Sequence, residues 1–122
     1  MKLQISPVPA LNAFNAYGDD YVAVNGERHE TSLIVLPERI VPWQVAGFDA
    51  LQEGDFALLA GLAPEIVLLG TGPRLRFPDP RLARALADAR IGLEVMDTRA
   101  ACRTYNVLVA EHRRVAAALL FC

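Results

Sequence analysis

The chain has 122 residues, 53% of them hydrophobic and 21% charged, which suits one globular domain with a genuine core. A formal net charge of -2, with no run of like charges, excludes a general polyanion binder and leaves no nucleic-acid partner and no acidic or basic tail. Only two cysteines occur, Cys102 and Cys122, without metal-type spacing; a disulfide framework and a zinc site are excluded, and a reducing cytoplasm is the natural setting.

The opening "MKLQISPVPALNAF" alternates and is broken by Pro7 and Pro9, so no signal peptide is expected there. No apolar run reaches about 18 residues, so no membrane span is expected either. "LQIS" reads as a short edge strand. The next stretch, "FNAYGDDYVAVNGERHETSLIVLP", carries two turn signals, Gly18-Asp19-Asp20 and Asn25-Gly26. Asn-Gly favours the positive φ angles of a type I′ turn, which predicts a hairpin between Tyr21–Val24 and Arg28–Leu36. Within the second arm, Ser32–Leu36 is aliphatic and β-branched, the pattern of a strand buried on both faces. Pro37 should end it, and Pro42 should interrupt any continuation. Trp43 follows, either as a partner anchor or as the closure of one end of the core.

The period then changes. "DALQEGDFALLAGL", residues 49–62, predicts a short turn leading into a better helix from Asp55, because Gly54 weakens one continuous helix. Asp55 is the expected cap. Pro64 separates this helix from the strand "EIVLLG". "DPRLARALADAR" predicts a helix with Asp79 as N-cap, Pro80 at its first position, and Leu82, Ala85, Leu86 and Ala89 facing inward. "IGLEVM" is the next strand, a helix starts from Asp97 with Asp97 or Thr98 able to cap it, and "RRVAAALLF" is the final strand. This alternation implies an α/β sheet whose strands are parallel. No internal repeat or linker appears, so residues 1–122 read as a single domain.

One region gathers candidate chemistry. The strands ending at Leu69 and Met96 are joined by a single crossover, so both should end on the same sheet edge, where ligands of open α/β sheets collect. Gly70, Thr71 and Gly72 stand at one of those ends, and Asp97 and Thr98 at the other. The glycines open the backbone to close approach, Thr71 adds a hydroxyl, and Arg74 and Arg76 follow in the loop. On the helix, Ala101, Cys102, Tyr105, Leu108 and Val109 should face the sheet, while Arg99, Arg103 and Asn106 share a polar stripe. Arg99 sits where the helix dipole disfavours a cation, by about 0.3–1 kcal/mol, unless an anion or a carboxylate offsets it. A small anion, a carboxylate or a partner's acidic side chain would fit such an edge; a tight turn with solvated arginines is the plainer alternative. "GTG" is not a dinucleotide fingerprint, since residue 75 is Leu, and no phosphate loop, hydrolase elbow or metal-binding helix motif occurs. No catalytic residue, metal ligand or cofactor is nominated. Cys102 on the inward stripe reads as a small buried hydrophobe, with a reactive thiol as the alternative. His29 and His112 lack a partnering carboxylate or serine pattern.

"PEIVLLGTG", then "RF" at Arg76-Phe77, then "GLEVMDTRAACRTYNVLVAEHRRVAAALL" resemble a small domain-of-unknown-function family that includes mitochondrial complex I assembly factor 3 and its archaeal and bacterial relatives. The resemblance is densest from Pro64 to Leu120. It implies a three-layer α/β fold around a central mixed sheet, with an N-terminal β-hairpin region and a last strand antiparallel to the others. Gly70, Thr71, Gly72, Asp97, Thr98, Thr104, Tyr105 and Asn106 match its motif positions, whereas Arg99 does not. The family's mitochondrial members assist assembly through protein contacts. No mitochondrial targeting segment is seen here, so the organelle role is not implied. Two functions follow as expectations. One is a non-enzymatic protein-binding or assembly-helper domain using the GTG edge and an apolar patch. The other is a phosphate- or carboxylate-binding protein or enzyme, with Gly70, Thr71, Gly72, Asp97, Thr98, Arg103, Thr104 and Asn106 as the site.

Overall fold

Asn25 and Gly26 take φ angles of 50° and 87°, the left-handed backbone that a type I′ turn demands, and fold β2 (Val22–Val24) onto β3 (Glu27–His29). β1 (Phe14–Tyr17) pairs antiparallel with β2 across the Gly18 turn, giving a three-stranded sheet in the order β1-β2-β3. The structure, a computed structural model, describes residues 10–121; the expected strand "LQIS" and Cys122 lie outside them.

The single arm expected from Arg28 to Leu36 is two strands in two sheets. Arg28 is exposed and His29 half-buried, whereas Leu33, Ile34 and Val35 are buried on both faces, so the second part must enter a covered sheet. That part is β4 (Leu33–Leu36), anchored where Ser32 Oγ accepts from the Phe121 backbone N–H at 2.9 Å. β5 (Arg39–Pro42) then pairs antiparallel with β4. The prolines argued against this strand. Pro37 occupies the turn and Pro42 the last residue of an edge strand, both places where a missing N–H is tolerated.

A 3₁₀ turn (Phe48–Ala50) leads to α1 (Glu53–Gly61), which begins two residues before Asp55. Asp55 still caps it, from the third helical position, accepting from the Gln52 backbone N–H at 2.8 Å. β6 (Ile66–Gly70) follows, then a 3₁₀ turn (Pro80–Ala83) running into a short α2 (Arg84–Asp88). Asp79 caps that turn as expected, accepting from Arg81 N at 2.9 Å. Leu86 is buried but Ala89 is exposed, because α2 ends before the inward stripe completes another turn. β7 (Gly92–Met96), α3 (Thr98–Ala110) and β8 (Val115–Leu119) complete the chain.

The larger sheet has the order β5-β4-β8-β6-β7. β8 runs parallel to β6 and antiparallel to β4, and β6 runs parallel to β7. The alternation of strands and helices therefore predicted these three parallel strands correctly. The implied last strand antiparallel to all others is corrected: it is antiparallel only to β4, because insertion at the sheet centre gives β8 one neighbour of each kind.

Period-2 burial divides the sheet between two cores. Val115, Ala117 and Leu119 join Leu33, Val35 and Leu68 on the face covered by α3 and the small sheet. Ala116, Ala118 and Leu120 join Ile34, Val67 and Leu69 on the face covered by α1 and α2. The fold is thus a three-layer α/β arrangement around a mixed sheet, and each fully buried large aliphatic contributes about 1.5–3 kcal/mol.

Candidate functional site

The parallel register pairs Gly70 with Met96 and with Leu119, so the carboxyl ends of β6, β7 and β8 share one edge, as the crossover logic requires. Here Gly70 allows close approach: a Cβ would lie 2.6 Å from Leu119 Cδ2, 3.3 Å from Ala101 Cβ and 3.4 Å from Thr98 Cα. The start of α3 therefore rests on this glycine. Gly72 takes φ 95°, turning the chain back toward α3.

The expected partners do come together, and they bond to one another. Gly72 N donates to Thr98 Oγ1 at 3.0 Å, and Thr98 N donates to Gly72 O at 2.9 Å. Thr71 N donates to Met96 O at 2.9 Å. Asp97 caps α3 by accepting from Ala100 N at 2.8 Å. Thr71 and Thr98 are both buried. The two stretches expected to flank a cleft are thus one hydrogen-bonded joint.

Thr71 has a second task. Its hydroxyl donates to Arg74 O at 2.7 Å and accepts from Arg76 N at 3.2 Å, which closes the 71–76 loop upon itself. Arg76 ties the loop outward as well, donating to Asp49 Oδ1 at 2.7 Å with its guanidinium 4.2 Å from the Phe48 ring centre. The loop so held presents Leu75 at 50% and Phe77 at 72% exposure. Sequence reasoning noted the neighbouring arginines and missed these two. The only available signal was an apolar residue alternating with each arginine between Pro73 and Pro78.

Further along α3 the motif residues serve the small sheet. Asn106 brackets Phe14: its Oδ1 accepts from Phe14 N at 2.9 Å and its Nδ2 donates to Phe14 O at 2.7 Å. The Tyr105 hydroxyl donates to Asn12 O at 3.0 Å, and its ring meets Phe14 edge-on at 5.0 Å. Asn106 stands eight residues beyond Thr98, about 12 Å along the helix, so it does not share the GTG edge. Arg99 finds the expected carboxylate outside its helix, at Asp19 Oδ1 3.2 Å away in the Gly18 turn. Arg99 and Asn106 of the polar stripe therefore face the N-terminal sheet. Arg103 is exposed and Thr104 half-buried; among the described residues neither joins the hydrogen bonds of the GTG edge.

Cys102 is fully buried, and burial pushes its thiol up to about 12, with the Arg103 charge only partly opposing. Such a thiol is unreactive at neutral pH, as the inward stripe suggested. Burial likewise raises the Tyr105 phenol, which removes it as an acid near neutrality. Trp43 is 4% exposed and closes one end of the core facing α1 and α2.

A family model described as "Protein of unknown function (DUF498/DUF598)" matches residues 14–120. The chain is 36% identical over 114 residues to NADH dehydrogenase (ubiquinone) 1 alpha subcomplex assembly factor 3 of Bos taurus, covering 92% of this chain and 62% of that protein. It thus spans about three-fifths of the length of that assembly factor. It is also 26% identical to the "13 kDa major membrane protein" of Francisella tularensis, covering 98% of this chain and 99% of that one. A crystal structure from Bordetella parapertussis superposes with a TM-score of 0.88 at 42% identity, covering 95% of this chain and 100% of that one. Among the described residues no helix is long and apolar enough to cross a membrane.

Proposed function

The chain belongs to the family described as protein of unknown function (DUF498/DUF598), and from that premise we propose that it is a non-enzymatic protein-docking domain that helps a larger complex assemble. The observation that carries this reading is the exposure of Leu75 and Phe77 on a loop whose backbone the Thr71 hydroxyl holds shut. An ordered loop loses little entropy on binding, and aromatic side chains such as Phe77 are enriched at interface cores. On this reading Gly70, Thr71, Gly72, Asp97 and Thr98 are positioning residues: they fix the loop and do not touch the partner. Asn106 positions the hairpin, and Arg103 and Thr104 flank the joint on the helix. The partner that fits is an apolar pocket with an acidic rim, able to meet exposed Arg74 beside Leu75. The domain is taken to act as one unit, and a cytoplasmic setting goes with it, on the sparse use of cysteine.

A phosphate or carboxylate at the same edge is the second reading. It would need the amides of Gly72 and Thr98, and these donate to Thr98 Oγ1 and Gly72 O instead. Docking is therefore preferred. The test compares the wild type with the double variant Leu75→Ser/Phe77→Ser as bait in its native lysate, with quantitative mass spectrometry. A partner retained by the wild type should fall about tenfold or more on the variant while the melting temperature stays unchanged. Equal retention by both baits refutes the docking loop.

A further inference from the structure

The other end of the sheet, where β6 and β8 begin, holds a cleft of about 460 Å³. Its apolar floor is formed by Leu11, Leu36 and Leu62 above the buried Val109 and Val115, and its rim carries Arg39, Arg113 and Arg114, with the carboxylate of Glu38 beside them. A chain of net charge -2 has thus gathered cations around one apolar hollow. Arg113 is already committed, donating to Glu65 Oε1 at 2.6 Å, and Glu65 also accepts from Arg114 N at 3.1 Å. That pairing fixes the turn before β8. The guanidinium groups of Arg39 and Arg114 have no carboxylate partner among the described residues.

Strand order sets where those two cations stand. Arg39 opens β5 opposite Leu36, and Arg114 directly precedes β8, on the other side of β4. Two unpaired cations therefore bracket the outer end of an apolar floor. The volume lies within the roughly 300–1,000 Å³ of small-molecule pockets. We propose that this cleft binds a medium-chain linear carboxylate, its hydrocarbon on Leu11, Leu36 and Leu62 and its head between Arg39 and Arg114. Burial of the hydrocarbon supplies affinity in proportion to its area, and the guanidinium forks select a carboxylate over a neutral head. The site lies at the opposite sheet end from the Leu75–Phe77 loop and stands or falls independently of it.

Titration of the ¹⁵N-labelled protein with decanoate, decanol and acetate separates the contributions. Decanoate should shift the amides of Leu36, Arg39, Leu62 and Val115 saturably. Decanol should bind the same place about tenfold more weakly, and acetate should shift nothing there. The double variant Arg39→Ala/Arg114→Ala, altered only at exposed side chains, should bind decanoate about tenfold more weakly and decanol unchanged. The proposal is overturned if decanoate shifts no cleft amide, if its shifts centre on the 71–77 loop, or if the double variant binds it as the wild type does. Equal affinity for decanoate and decanol also overturns it.

Discussion

The two ends of the central sheet are built from different residue types and present opposite chemistry. At the carboxyl ends of β6 and β7, glycine amides, threonine hydroxyls and the Asp97 carboxylate are used up within the fold, and Leu75 and Phe77 are left outside. At the amino ends, Leu36, Leu62, Val109 and Val115 line the hollow, and the arginines are left at its rim. The face an end shows to its surroundings thus follows from which groups the fold consumes. Threonines and glycines read as a ligand site in sequence; in the structure they are a joint.

Breaking that joint should give the largest effect. Gly70→Val places new methyls against Leu119, Ala101 and the backbone of Thr98, so the Leu119 side chain must be displaced and the start of α3 must give way. A loss of about 3 kcal/mol is expected, read as a lower urea midpoint. A wild-type midpoint would show that α3 does not rest on Gly70. Next comes Thr98→Val, which keeps the shape but strips Gly72 N of its acceptor in a buried place. This should cost about 2 kcal/mol and speed amide exchange at Gly72; unchanged exchange would mean the two threonines are not what closes this end.

The smallest effect belongs to the other end. The Arg113 side chain and the Arg114 backbone N–H hold Glu65 below its ordinary carboxylate value of 4.5, with burial opposing weakly. A depressed folded pKa contributes stability above the unfolded value and loses it as pH falls through the folded one. Wild type should therefore melt slightly above Glu65→Gln at neutral pH, with the gap closing as pH falls through the lowered folded value and the carboxyl is protonated. A gap that persists in acid would separate Glu65 from the charge balance of the cleft.

Local residue chemistry was legible in the chain. Asn25-Gly26 turned, Asp79 and Asp97 capped, Asp55 capped from the third helical position, and the inward stripe of α3 buried Ala101, Cys102, Tyr105 and Val109. The gathering of Gly70, Thr71, Gly72, Asp97 and Thr98 was legible too, because one crossover fixes which strand ends are neighbours. β5 was not, since prolines at an edge strand look the same in sequence as prolines that forbid one. Arg99 looked like a cation awaiting an anion because its carboxylate, Asp19, lies 80 residues away in sequence.

The sequence by itself determined the turns, the caps, the three parallel strands and the residues that meet at their ends, because each follows from contacts a few residues apart or across one crossover. Only the tertiary structure decided that β8 lies between β4 and β6, that Asn106 serves Phe14, and that the GTG amides are satisfied internally. These depend on which distant groups the packed layers bring within bonding distance, and short-range sequence patterns do not carry that information.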